Sequence, residues 1–235
     1  MYGVRFGDKH TYTDWGLILR SRPVISPPTP KTMYIDIPEA DGRLDLTESL
    51  SGEVRYNNRS ITFQFVVIEA RKRWTQIYSE ILNYLHGQEM IIHLDEDRNY
   101  YYVGRISVDE WASDKKTSVI TISGDVNPYK LEIHNSLDDW LWDEFNFEED
   151  LIRDYKDLTV NGSLNFVIWG SRRSSVPVFV VNSNGQGMRV VFNGVSYNLQ
   201  DGRNRVLNIV IRDGANNISF VGNGTVSIEY QGGSL

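Results

Sequence analysis

Between Arg71 and Gly87 the apolar residues Trp74, Ile77, Tyr78, Ile81, Leu82 and Leu85 recur three and four apart, which places all six on one face of an α-helix. Gly87 predicts the stop, because glycine takes the left-handed conformation that ends helices at little cost. On either side the period falls to two. Ile61, Phe63 and Phe65 alternate with Thr62 and Gln64 as a half-buried strand, and the apolar run 66–68 predicts a fully covered continuation. Residues 89–94 and 99–108 read as a hairpin around a polar tip, and 117–125 as a further strand after a turn at 113–116. Pro27, Pro28 and Pro30 predict a rigid extended connection. The stretch 41–56 is long, polar and punctuated by glycine, which predicts a loop or arm that projects from the core.

The C-terminal third has another rhythm. Asn184-Gly185, Asn193-Gly194, Asp201-Gly202, Asp213-Gly214 and Asn223-Gly224 fall 9, 8, 12 and 10 residues apart. Such dipeptides tolerate the positive φ of tight β-turns, and this spacing marks an antiparallel sandwich or barrel. The runs 176–181, 189–192, 206–211 and 225–230 supply the strands, so 158–235 is predicted to be an all-β domain. The expected division is a first domain over 1–137, an acidic aromatic connector over 138–157 and a β-sandwich over 158–235.

Composition narrows the function. Of 235 residues 40% are hydrophobic and 23% charged, which suits a folded globular chain. No apolar run approaches the roughly 20 residues of a membrane span, and the first ten residues lack the apolar core of a secretion signal. There are no cysteines, so disulfides and thiolate metal sites are excluded. The net charge of −7 is concentrated: 1–137 carries −3, 138–157 carries −7 and 158–235 carries +3. A negative chain repels phosphate, which argues against sequence-specific nucleic-acid binding.

Candidate chemistry is sparse. The histidines His10, His86, His93 and His134 have no zinc-binding helical spacing, and neither a GxSxG elbow nor a phosphate loop occurs. No cofactor or metal is expected, and no enzyme activity. Asp95, Asp97 and Asn99 imitate the opening of a calcium loop, but Tyr100 and Ile106 stand where its glycine and bidentate glutamate belong, which favours a plain hairpin tip. The acidic stretch 138–157 offers paired carboxylates of the glycosidase kind. A solvated face is the simpler reading, with Trp140, Trp142, Phe145 and Phe147 docking on a sheet and the acids pairing with Arg172, Arg173, Arg203 or Arg205. Arg71, Lys72 and Arg73 open the predicted helix, where the macrodipole disfavours cations, and so become candidates for an acidic partner surface. Trp169 and Tyr197, with Phe192, are candidates for stacking on sugar, against core packing as the alternative.

Three N-terminal runs, DGRLDLTESLSGEVRYNNRSITFQF from Asp41, ILNYLHGQEMIIHLDEDRNYYYVGRI from Ile81 and ITISGDVNPYK from Ile120, resemble the N-terminal domain of siphophage distal tail (Dit) proteins. DDWLWDEFNFEEDLI from Asp138, LTVNGS from Leu158 and the terminal GNGTVSIEYQGGSL resemble that family's C-terminal domain in phages of Gram-positive hosts. The resemblance implies a mainly β chain: a tail-tube-like β-sandwich with one flanking α-helix, followed by a galectin-like or carbohydrate-binding-module-like β-sandwich. It implies a structural baseplate hub made in the host bacterial cytoplasm and carried in the virion tail tip. Copies close into a hexameric ring around a channel for DNA, in contact with the tail tube protein, a tail-associated hub protein and receptor-binding proteins. The segment 41–56 becomes the belt that embraces the next copy, which makes Asp41, Arg43, Asp45, Thr47, Glu48, Glu53 and Arg55 interface candidates beside Arg71, Lys72 and Arg73. The His-x-Asn-x-Arg signature of true galectins is missing, since 158–235 contains no histidine. The competing reading is a carbohydrate-binding adhesion module of a tail tip.

Overall fold

The computed structural model describes residues 3–138 and 154–235. The chain divides into two compact units, one running to Lys130 and the second from Leu131 to Ser234. Both are built on antiparallel sheets, and the fold is mainly β.

The first unit begins with β1 (Val4–Phe6) and β2 (Lys9–His10), then the short helix α1 (Thr11–Trp15), β3 (Leu17–Leu19) and β4 (Val24–Ile25). An outlying hairpin follows, β5 (Tyr34–Asp36) and β6 (Arg43–Asp45). After it come β7 (Arg59–Val67), helix α2 (Trp74–Leu85), β8 (Glu89–Leu94), β9 (Tyr100–Ser113) and β10 (Ser118–Val126). The sheet order is β2-β1-β8-β9-β10-β7-β3, with β4 also on β7. Strict alternation along β7 sends Ile61, Phe63, Phe65 and Val67 inward. They meet Phe6, Ile92, Ile106, Ile120 and Ile122 in one core.

Helix α2 closes that core with Trp74, Ile77, Ile81 and Leu85 buried and Tyr78 and Leu82 packed beside them, the six residues its periodicity selects. Gly87 has φ 76°, as its place after the helix requires. Three expectations change here. Residues Arg71–Arg73 form a 3-10 turn ahead of the α-helix rather than its first turn, and Trp74 Nε1 donates to the Glu69 carbonyl across that turn. The run 66–68 is not covered throughout: β7 ends at Val67 and Ile68 is 51% exposed, because the strand's alternation turns it outward. The flanking helix also has a companion, α1, held at its start by the His10 ring accepting from the backbone N–H groups of Tyr12 and Thr13.

In the second unit β11 (Lys130–Glu132) pairs with β18 (Gly233–Ser234), and the remaining strands are β12 (Leu158–Gly170), β13 (Val178–Asn182), β14 (Met188–Phe192), β15 (Val195–Leu199), β16 (Gly202–Arg205) and β17 (Gly214–Glu229). β17 organises them. One edge pairs with β12 from Gly214 to Val226; the other pairs first with β14 at 218–222 and then with β13 at 225–229. Phe179, Val190, Ile218, Phe220, Val226 and Ile228 form its core.

Of the five turn dipeptides, four sit at strand ends, with φ 54° at Asn184, 50° at Asn193, 93° at Gly202 and 86° at Gly214. Asn223-Gly224 is not a turn. It lies inside β17, where the strand passes from β14 to β13, and a Cβ on Gly224 would stand 2.2 Å from the Asn182 carbonyl oxygen. Glycine is there for close approach of two backbones rather than for reversal. Residues 206–211 form no strand either: a single bridge joins Ile211 to Ser175, although Ile209 and Ile211 are fully buried. The aromatic residues of the acidic connector, Trp140, Trp142, Phe145 and Phe147, lie outside the described residues. Among the described residues Arg172 approaches Asp213 at 3.7 Å and Arg203 meets Glu229 at 2.6 Å.

Candidate functional site

The most exposed part of the first unit is the excursion between β4 and β7. At its base, Asn57 N–H donates to the Thr29 carbonyl at 2.9 Å, Lys31 N–H to Arg55 at 2.7 Å, and Pro30 bridges Tyr56. Farther out, Leu46 N–H donates to the Met33 carbonyl and Met33 N–H to the Thr47 hydroxyl. The tip is the β5–β6 hairpin in the register Tyr34 to Asp45, Ile35 to Leu44 and Asp36 to Arg43. Every residue from 31 to 45 is exposed, so the two strands form an arm with its own ladder and no core beneath it.

The arm's charged candidates are largely occupied with one another. Arg43 Nε lies 3.0 Å from Asp36, and Arg55 lies 2.7 Å from Glu53. The Thr47 hydroxyl and N–H together hold the Asp45 carboxyl below the usual carboxylate range, the N–H donating at 2.9 Å. Glu48 contributes its backbone carbonyl, which accepts from Gly52 N–H, and Asp41 stands exposed at the hairpin turn. Pairs of this kind between exposed side chains contribute about 0–1 kcal/mol each and serve to shape the arm.

What the arm presents outward is apolar. Met33, Tyr34, Ile35, Ile37 and Leu44 are all exposed, and Leu50 is 93% exposed. Ile35 lies opposite Leu44 and shares its face with Met33 and Ile37, whereas Tyr34 and Asp36 lie opposite Asp45 and Arg43, so one face of the hairpin is apolar and the other carries its charges beside Tyr34. The charge pattern does not reveal these residues. The signal was available in the alternation of Met33, Ile35 and Ile37 followed by Asp41-Gly42, a strand and turn signature of the kind read farther along the chain.

Among the other candidates, Arg71 and Lys72 are exposed on the 3-10 turn and Arg73 forms an ion pair with Glu69 at 3.0 Å. That pair offsets the macrodipole cost at the start of α2 from within the chain. Trp169 and Tyr197 part company. Tyr197 lies opposite Val190 and packs against the core of the second unit, whereas Trp169 is 49% exposed and lies opposite Ala215 on the outer face of the β12–β17 ladder. The tip residues Asp95 and Asp97 diverge, Asp95 accepting from Gly3 N–H and approaching His10, Asp97 meeting Lys130 at 2.7 Å. Among the described residues no three potential metal ligands converge.

No protein-family model and no curated protein matches this sequence. Among solved structures, the chain is similar to the Dit protein (gp 19.1) of SPP1, a protein described as a paradigm of the hub adsorption apparatus in phages that infect Gram-positive hosts. The match covers 100% of both chains with a TM-score of 0.63 and 10% sequence identity. At that identity the likeness is one of fold: over its whole length the chain has a mainly β, Dit-like architecture.

Proposed function

We propose that this chain is a structural distal tail protein, the hub of a siphophage baseplate. Six copies close into a ring that joins the tail tube to the tail-tip adhesion apparatus and leaves a central channel for DNA. The observation that carries the reading is the arm. A fold shared with a phage hub protein along the whole chain is joined to a hairpin with one exposed apolar face, with no part of its own unit beneath it. A ring repeats one heterologous contact until it closes, so each copy needs a projecting element and a complementary surface. The arm is the projecting element, and its tip residues Ile35, Ile37 and Leu44 are the ones a neighbour buries.

In this reading residues 1–137 form the ring, 158–235 form the outward domain and 138–157 connect them. The tail tube protein and a tail-associated hub protein dock on the ring, and receptor-binding proteins attach around it. Arg71, Lys72 and Arg73 face an acidic surface on an adjacent subunit. The net charge of −7 suits a channel through which DNA slides, because few phosphates are neutralised and counterion release contributes little affinity. The same assignment places the protein in the virion tail tip after synthesis in the host cytoplasm.

Negative-stain microscopy and light scattering on the concentrated chain test this. Six-membered rings are expected, and they are lost in the double variant Ile35→Ser/Leu44→Ser while its melting temperature stays that of the parent. Rings that survive the double substitution, or a parent chain that stays monomeric at its solubility limit, refute the assignment of the arm.

A further inference from the structure

The second unit contains four Asn-Gly pairs, Asn161-Gly162, Asn184-Gly185, Asn193-Gly194 and Asn223-Gly224. Such a pair has a covalent chemistry of its own. The glycine nitrogen can close a five-membered ring onto the asparagine side-chain carbonyl carbon, and glycine, lacking a Cβ, puts no side chain in the way. Closure requires that the nitrogen lose its proton to solvent and that the carboxamide turn onto it. A hydrogen bond from the glycine N–H holds the proton, and a bond at the carboxamide holds the side chain away.

The fold withholds these conditions from three of the pairs. Gly162 N–H donates to Asn223 Oδ1 at 2.9 Å, which engages the nitrogen of one pair and the carboxamide of another in a single contact. Both of those pairs also lie inside the β12–β17 ladder, with Asn161 opposite Asn223. Gly185 N–H donates to the Asp201 carboxylate at 2.6 Å, and a charged acceptor opposes removal of that proton. Asn193-Gly194 is the matched exception. Its backbone is nearly that of Asn184-Gly185, with φ 50° and 78° against 54° and 81°. Both turns are exposed, and a Cβ on either glycine would meet nothing within 4 Å. Yet among the described residues the Gly194 N–H and the Asn193 carboxamide have no hydrogen-bond partner inside the chain. The two-residue turn, closed by Phe192 opposite Val195, leaves the Gly194 N–H outside the ladder.

We propose that Asn193 is a site of spontaneous deamidation, selected from the four Asn-Gly pairs by the free Gly194 N–H. Hydroxide takes the proton from the Gly194 nitrogen, which bonds to Asn193 Cγ. The Cγ–Nδ2 bond breaks, and the nitrogen leaves as ammonia after taking a proton from water, which restores the hydroxide. Water then opens the cyclic imide at either carbonyl. Opening at Cγ gives aspartate, and opening at the main-chain carbonyl gives isoaspartate, with the chain rerouted through the former side chain. Either product puts a carboxylate on a cavity wall that, among the described residues, holds Arg212 and no acid. The isoaspartate also adds a methylene to the main chain of a turn whose register leaves no slack. Strand β15 is an edge strand paired with β14, so it is the element that loosens, and Tyr197 and Leu199 lose their hold on the core. This goes beyond the hub assignment and does not depend on it, since every group involved lies in the second unit.

The test is timed incubation of the full chain in warm, mildly alkaline buffer, followed by peptide mapping with mass spectrometry and enzymatic methylation of isoaspartate. Asn193 is expected to convert roughly tenfold faster than Asn161, Asn184 or Asn223, the factor for breaking one hydrogen bond before reaction. In denaturant the four rates should draw together, because the fold no longer ranks them. Asp201→Ala removes the acceptor from Gly185 N–H and should bring Asn184 up toward the rate of Asn193. The proposal is overturned if Asn193 converts no faster than the other three in the folded chain, if the same ranking persists in denaturant, which would assign it to local sequence, or if Asn184 stays slow in Asp201→Ala.

Discussion

At the scale of single residues, Asp201 shows how one carboxylate organises a turn from outside it. Its two oxygens accept from Ser183 N–H at 2.7 Å, from the Ser183 hydroxyl and from Gly185 N–H at 2.6 Å, pinning the β13–β14 connection from the β15–β16 turn. The Ser183 hydroxyl, then the backbone N–H groups of Ser183 and Gly185, depress the Asp201 pKa below the ordinary carboxylate value. A depressed pKa means that the folded state favours the charged form. The stabilisation is therefore present above the unfolded value, about 4, and is lost as pH falls through the lower folded value. Asp201→Asn is expected to melt below the parent at neutral pH, because an amide NH₂ faces a backbone donor, and the gap should narrow steadily as acid is added. A gap that stays constant from neutral pH to pH 2 would show that the charge has no part in it.

At the scale of elements, the close approach within β17 makes a sharper demand. Gly224→Ala would need φ near 139° for a residue with a Cβ and would drive that carbon against the Asn182 carbonyl. The expected cost is about 1–3 kcal/mol or more, read from chemical denaturation, whereas alanine at Gly162, strained by its φ of 75° but meeting nothing within 4 Å, should cost less. Equal effects at the two positions would remove the close-approach explanation. The same glycine shows what a sequence conceals: Asn223-Gly224 has the composition of a hairpin turn, and only its neighbour across the ladder tells the two uses apart. Helix α2 and strands β7 to β10 were legible because each buries one face for at least six residues, so the period declares itself. Strands β1 to β4 and helix α1 run two to five residues, too short for a period to stand out. The location of the arm was readable from its polar, glycine-marked half. Its contact residues were not, because Met33, Ile35 and Ile37 alternate as core residues do and yet cover nothing in their own chain.

At the scale of the whole molecule, the division between apolar contact and internally satisfied charge predicts how assembly responds to salt. The arm's ion pairs Arg43–Asp36 and Arg55–Glu53 close within the arm, so screening them removes little from a contact between copies. In the proposed ring the arm contact is expected to persist in high sodium chloride and to strengthen in sulfate, which favours apolar burial, while the contact of Arg71–Arg73 alone weakens. Dissociation with rising sodium chloride, followed by light scattering, would move the interface from Ile35 and Leu44 to the charged residues. The unpartnered hairpin also bears on how the free subunit survives before assembly. A tongue of chain held only by its own ladder is the easiest place for a protease to enter and the readiest surface for nonproductive sticking. Surplus copies that miss their neighbours would be clipped or would clump there first, so the number of copies in the proposed ring would be policed by the same feature that joins them.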